Sequence, residues 1–210
     1  MTRGGLARHL ATCSERQAAI QRADQGKGAE DPWYHLQIQD AGYGDYWLHI
    51  EIRGSASLAV LDQYLRAIWL ECCGHLSQFS VGGWSGQEIA KNRKIAQVFQ
   101  PGVTVTHIYD FGTSSETLIK LVGTRTGKAL TRHPIVLLAR NDPFQAQCIE
   151  CEQPAIWLCI QCLYEDEAGG VLCDRHAEEH PHTDYGEPMP LVNSPRVGMC
   201  GYGGPAEPPY

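Results

Sequence analysis

Eight sulfur and imidazole side chains crowd into residues 148–182 of this 210-residue chain. They are spaced Cys148-x2-Cys151-x7-Cys159-x2-Cys162-x10-Cys173-x2-His176-x3-His180-x1-His182. Thiolates and neutral imidazoles are the donors that zinc selects, at ~2.3 Å from sulfur and ~2.0 Å from nitrogen, four to an ion. A Cys-x2-Cys turn can aim two sulfurs at one ion. Eight donors make two closed tetrahedra, with no position left for a reactive water, so the spacing predicts two structural Zn2+ ions rather than a catalytic one. A segment of about 40 residues also buries too little apolar surface to fold unaided, and metal can supply the missing stability. Its small apolar core is expected from Ile156, Trp157, Leu158, Val171 and Leu172.

The spacing resembles a B-box zinc finger. That resemblance implies a cross-brace, with Cys148, Cys151, Cys173 and His176 on one ion and Cys159, Cys162, His180 and His182 on the other. The residues also permit a sequential arrangement, with the four early cysteines on one ion. The apolar run Ala155–Leu158 between the two cysteine pairs reads as a strand that would carry the pairs apart.

Charge bears on what such a finger could touch. Between Cys148 and Glu187 the sequence has ten carboxylates and one Arg175, in a chain of net charge −7. Phosphate is repelled by that surface, so nucleic acid is not the expected partner of the finger and a protein is. No apolar run reaches the ~20 residues of a membrane span. The first residues lack the apolar stretch of a secretion signal, and nine cysteines, an odd number, stand partly among histidines. A reducing cytoplasmic setting is therefore expected, without membrane association.

The elements that would carry this finger begin with a short helix over 5–22. It places His9 and Cys13 on one face, where they look either like ordinary amphipathic-helix residues or like a remnant of a longer finger. A polar, Gly-rich linker follows to residue 32. Alternating patterns at 33–40 and 45–52 predict an antiparallel strand pair. Leu58, Leu61, Leu65, Ile68 and Cys72 recur at steps of three and four, predicting one buried face of a helix over 57–73, with Cys72 in the core. Further strands are expected at about 75–84, 102–112, 115–125 and 133–141, with a weak helix or ordered loop at 86–99. The fold class is α+β: a mainly antiparallel sheet with one principal packing helix, plus the small two-zinc finger. The expected divisions are 1–32, 33–143, 144–187 and 188–210. The last is a Pro- and Gly-rich tail whose Leu191, Val192, Val197, Met199 and Tyr202 are too apolar to stay free, so it should pack back on the first domain.

The run "YHLQIQD", then "LDQYLRAIW", "HLSQFSVGG" and "YDFG", resembles the plasmid pRiA4b ORF-3-like family across about residues 33–140. The closing "NSPRVGMCGYGG" is similar to the tail of its longer, zinc-bearing members. The resemblance implies a compact α+β domain met in bacterial and mobile-element settings, with no established activity.

Taken together, these readings favour a non-enzymatic zinc-binding adapter. The alternatives are a DNA-associated accessory factor of a mobile element, or an enzyme with a cleft in the α+β domain. For the last, His75, His107, Tyr109 and Asp110 near strand ends are the residues that could line a cleft. No dinucleotide, phosphate-loop or nucleophile-elbow pattern occurs, and "GTRTGK" at 123–128 has the wrong spacing for a phosphate loop. Cys72 and Cys73 lack charged sequence neighbours that would mark a reactive thiolate.

Overall fold

The structure, a computed structural model, describes residues 3–165 and 169–210. The chain divides into two compact units. One comprises Met1–Tyr64 with Leu76–Asn141 and Tyr210, and the other Leu65–His75 with Asp142–Pro209.

The first unit opens with α1 (Arg3–Thr12) and α2 (Ser14–Gln25). The single helix expected at 5–22 is broken at Cys13, which is extended (φ −60°, ψ 119°). His9 and Cys13 thus do not share one helix face. Strands β1 (Asp31–Asp40) and β2 (Trp47–Arg53) form the expected pair, in register from Trp33 opposite Arg53 to Gln39 opposite Trp47. After α3 (Leu58–Leu65) come β3 (Ser77–Val81), β4 (Gln87–Ile89), α4 (Ile95–Val98), β5 (Thr104–Tyr109), β6 (Ser115–Gly127) and β7 (Ile135–Arg140). The sheet order is β4-β3-β5-β6-β1-β2-β7, and every neighbouring pair is antiparallel. Segment 86–99 therefore supplies a short edge strand as well as a helical turn.

The core of this unit follows from the strand pleat. Trp33, Leu36, Ile38, Leu48, Ile50, Ile52, Val105 and Ile119 are all fully buried. A register shift against β6 between His35 and Leu36 leaves Val122 of β6 without a partner on β1, and both His35 and Leu36 are buried. His35 lies beside the buried His49.

The predicted stripe Leu58, Leu61, Leu65 and Ile68 is fully buried. The helix itself departs from expectation. At Arg66–Leu70 it widens into a π-turn closed by Glu71 N–H donating to the Arg66 carbonyl at 2.8 Å, and it stops there. Glu71 is extended, its carboxylate accepts from Arg66 Nε and from the Gly74 N–H, and Gly74 takes φ 78°. Cys72 consequently lies beyond the helix and is only half-buried, not a core residue.

In the second unit, β8 (Trp157–Leu158), α5 (Ile160–Glu165), β9 (Val171–Leu172), α6 (Asp174–Glu178) and β10 (Met189–Pro190) build the finger. The strands form an antiparallel sheet in the order β10-β8-β9. Its core is made largely of cysteines: Cys148, Cys159, Cys162 and Cys173 cluster around Leu172. Leu158 is also buried, but Ile156, expected in the core, is 50% exposed. Ile156 is held by its backbone instead, donating to Leu172 and accepting from Leu191.

The tail is tied down within this unit. Met189 and Pro190 join the sheet, and Ser194 Oγ donates to the Trp69 carbonyl at 2.6 Å. Gly198 (φ 80°) is pressed so close to Leu158, Ile160 and Leu163 that a Cβ would stand 3.0–3.3 Å from their side chains. Among the described residues, no helix is long and apolar enough to cross a membrane.

Candidate metal centres

Among the described residues there are three groups of four donor atoms, and within each group the atoms lie within 4.8 Å of one another. Two of them use the eight finger residues, and the grouping alternates along the chain. Cys148, Cys151, Cys173 and His176 form one group, and Cys159, Cys162, His180 and His182 the other.

The first group is assembled by two short motifs. Cys148 and Cys151 occupy a tight turn in which Cys151 N–H donates to the Cys148 carbonyl, while Cys148 N–H donates to Gln153. Cys173 precedes α6 in an extended conformation, and His176 lies on the first turn of that helix. Nδ1 of His176 is 3.3 Å from Cys148 Sγ and 3.5 Å from Cys173 Sγ, and Cys151 Sγ is 3.8 Å from Cys173 Sγ. A zinc tetrahedron with ~2.3 Å sulfur bonds and ~2.0 Å nitrogen bonds has S–S edges of ~3.8 Å and S–N edges of ~3.5 Å. Trp157 Nε1 donates to Asp174 Oδ1 at 2.7 Å, fixing the start of α6 against β8. Burial alone would push the Cys148 thiol up. Backbone hydrogen bonds from Cys173, Glu150 and Cys151, with the His176 ring, outweigh it and bring the thiol down to about 6. A thiol poised in this way releases its proton to solvent readily when its sulfur binds a metal cation.

The second group straddles the start of α5. Cys159 follows β8, Cys162 lies in α5 and its N–H points to Cys159 Sγ at 3.5 Å. Cys162 Sγ is 3.2 Å from His180 Nε2 and 3.1 Å from His182 Nδ1, and Cys159 Sγ is 3.9 Å from His182 Nδ1. Gly170 makes this turn possible. Its φ is +71°, and a Cβ there would stand 2.5 Å from the Cys159 carbonyl oxygen and 2.9 Å from the Leu163 nitrogen.

The third group is Cys72, Cys73, His75 and Cys200. Sequence reasoning placed Cys72 in the core and found no charged neighbour for it. The structure instead puts the Arg196 guanidinium on Cys72 Sγ, at 3.4 Å from Nε and 3.3 Å from Nη2. The adjacent pair of cysteines and a histidine two residues on were a local signal. The fourth donor was not, because 127 residues separate Cys73 from Cys200. His9 and Cys13 join no such group among the described residues.

The four residues considered for a cleft have separate settings. His75 belongs to the third donor group, in the second unit. In the first unit, Asp110 adopts φ 65° and accepts from the Gly112 N–H, shaping the turn after β5, and Tyr109 is fully buried. His107 is fully buried with Nε2 2.8 Å from Asp62 Oδ1. Asp62 also accepts from Ser77 Oγ and Lys91 Nζ. Burial would raise its pKa, but the hydrogen bonds from His107, Ser77 and Lys91 prevail and hold it well below the usual carboxylate range. Sequence reasoning missed this network, since its members lie far apart in the chain.

It also missed a second polar group, on β1 and β2. Glu51, 1% exposed, accepts from Arg16 at 2.7 Å and from Arg125 through both oxygens. His35 Nε2 lies 2.8 Å from His49 Nδ1. Burial, the neighbouring His49 and Arg16 lower the His35 pKa to about 3.

No family model and no curated protein matches the chain. Among solved structures, the crystal structure of a protein of unknown function, MM3350 from Methanosarcina mazei Go1, is similar with a TM-score of 0.45 and 18% identity. The match covers 52% of this chain and 69% of that one. A likeness at that level carries no functional inference.

Proposed function

We propose that the protein is a non-enzymatic zinc-binding interaction module whose C-terminal finger is cross-braced by two structural zinc ions and engages a protein partner. The observation that carries this reading is the gathering of eight Cys and His donors into two alternating groups of four. Each group fills a tetrahedron by itself, which suits a structural ion and leaves no place for a reacting water. The buried cysteines also form most of the finger's core, so metal is expected to take the part that apolar packing plays elsewhere.

A protein partner fits the finger's surface better than nucleic acid does. Tyr164 and Tyr185 are 62% and 56% exposed, and their rings stand 6.3 Å apart. Exposed aromatic residues are enriched where proteins meet, and the surrounding acidic residues repel phosphate. The likeness to the pRiA4b ORF-3-like family belongs to the same proposal, and with it the bacterial or mobile-element setting.

Elemental analysis of the purified chain, with Cys148→Ser and Cys159→Ser alongside, tests the metal part. Each substitution is expected to remove one zinc ion. A protein partner held by the zinc-loaded chain and released by Cys148→Ser supports the adapter role. Tight binding of single- or double-stranded DNA at ~50 mM salt overturns it in favour of a DNA-associated factor.

A further inference from the structure

The four donors of the third group come from two distant stretches of the second unit. Cys72, Cys73 and His75 follow the π-turn, and Cys200 lies in a 3-10 turn of the tail at Met199–Gly201. We propose that Cys72, Cys73, His75 and Cys200 form a third structural zinc site, separate from the finger, which pins the tail turn to the 72–75 segment.

The distances fit an ion at the centre. Cys72 and Cys73 sulfurs are 3.6 Å apart, and Cys73 and Cys200 sulfurs 3.5 Å apart. His75 Nε2 stands 2.9 Å from Cys73 Sγ and 3.5 Å from Cys200 Sγ. These approach the ~3.8 Å and ~3.5 Å edges of a zinc tetrahedron. They are far from the ~2.05 Å of a disulfide. Three sulfurs and one imidazole in tetrahedral reach select zinc over the oxygen-seeking cations.

Two independent features point the same way. Cys200 is not a glycine yet adopts φ 51°, ψ 35°, between Gly198 and Gly201 that also have positive φ. Left-handed backbone is disfavoured at a non-glycine residue. Here it turns the thiol toward the other three donors. The second feature is Arg196, fully buried with its guanidinium on Cys72 Sγ. Three thiolates and a neutral imidazole around Zn2+ carry a net charge of −1, which one guanidinium balances. Arg196 then acts as a positioning residue that orients a ligand and stabilises its thiolate.

The test uses the full chain purified under reducing conditions. Elemental analysis is expected to give one zinc fewer for Cys200→Ser than for the unaltered chain. Cys148→Ser and Cys159→Ser report the finger's ions separately. If the finger holds fewer than two ions, the Cys200→Ser difference still stands for the third site alone. An unchanged zinc content in Cys200→Ser overturns the proposal.

A measurement on the unaltered chain guards against a variant that does not fold. Cys73 and Cys200 are both exposed, so without metal N-ethylmaleimide should label them quickly. With zinc bound they are expected to resist labelling at least tenfold and to react after chelation. Equal labelling rates before and after chelation overturn the site, as does recovery of a Cys73–Cys200 disulfide from the natively purified protein.

Discussion

His176 places its Nδ1 3.3 Å from the sulfur of Cys148, although 28 residues separate the two. The contact joins the first cysteine pair to α6 and passes over the second pair, which lies between them in sequence. An ion held by these residues therefore ties the ends of the finger together. His176→Ala and Cys148→Ser are expected to remove the same ion, and the double variant to lose no more zinc than either single one. Combining His176→Ala with Cys159→Ser should remove both. Elemental analysis of the four proteins checks this. Additive loss in the first pair would mean that the cysteines and histidines are divided sequentially.

Gly170 lies against the second donor group through its backbone. Gly170→Ala forces a left-handed conformation on a residue with a Cβ, costing on the order of 1–3 kcal/mol. It also drives that Cβ into the Cys159 carbonyl. The turn must open and move Cys159 away from Cys162. Competition against a chromogenic chelator should show the second ion released first and at least tenfold more weakly held, with the first ion little changed.

The parts of this fold legible in the sequence were those written in short spacings. Alternation in 33–40 and 45–52 predicted the β1–β2 pair because apolar and polar residues alternate along both strands, although β2 is buried on both faces, and the turn between them is local. The eight finger donors were visible as pairs two or three residues apart. Their division between two centres came from the B-box resemblance rather than from the spacing alone, which also permitted a sequential arrangement, and the donor atoms gather in the alternating groups. The third donor group was hidden for two reasons. The leucine steps at 58, 61 and 65 run smoothly on to Ile68 and Cys72, so nothing in the periodicity reveals the π-turn that takes Cys72 off the helix. Arg196 and Cys200 reach that place only through tertiary structure, from more than 120 residues away. The Asp62–His107 network and the Glu51 ion pairs were invisible for the same reason: isolated charged residues on separate helices, strands and loops carry no pattern.

Acid should loosen β1 and β2 before the usual carboxylate range is reached. In the unfolded chain His35 takes up its proton near pH 6.5, but in the fold only near about 3. The unfolded state thus binds the extra proton between these values. The contribution of His35 is complete above about pH 6.5 and is lost as pH falls toward 3, at no more than about 1.4 kcal/mol per pH unit. His49, whose pKa burial also lowers, adds to the same trend. Hydrogen exchange of peptides spanning 33–53 should accelerate from pH 6.5 to 4.5 after correction for intrinsic rates. His35→Gln should flatten that dependence. Equal slopes in the two proteins would show that His35 titrates normally.

Arg196 offers trypsin a cleavage site that the folded chain withholds. Its side chain is fully buried, and its N–H donates to Ser194 Oγ, itself bonded to Trp69. The following residues enter the turn that carries Cys200. If zinc at Cys72, Cys73, His75 and Cys200 fastens that turn, chelation should expose Arg196, whereas the β10–β8 pairing upstream guards only the start of the tail. Limited trypsin digestion is expected to spare the Arg196–Val197 bond in the zinc-loaded chain and to cut it at least tenfold faster after chelation. Cys200→Ser should be cut there quickly even with zinc present, while Cys159→Ser, which leaves all four donors of the third group in place, should be cut more slowly than Cys200→Ser. Rapid cleavage in the zinc-loaded, unaltered protein would show that the tail is not fastened at this point.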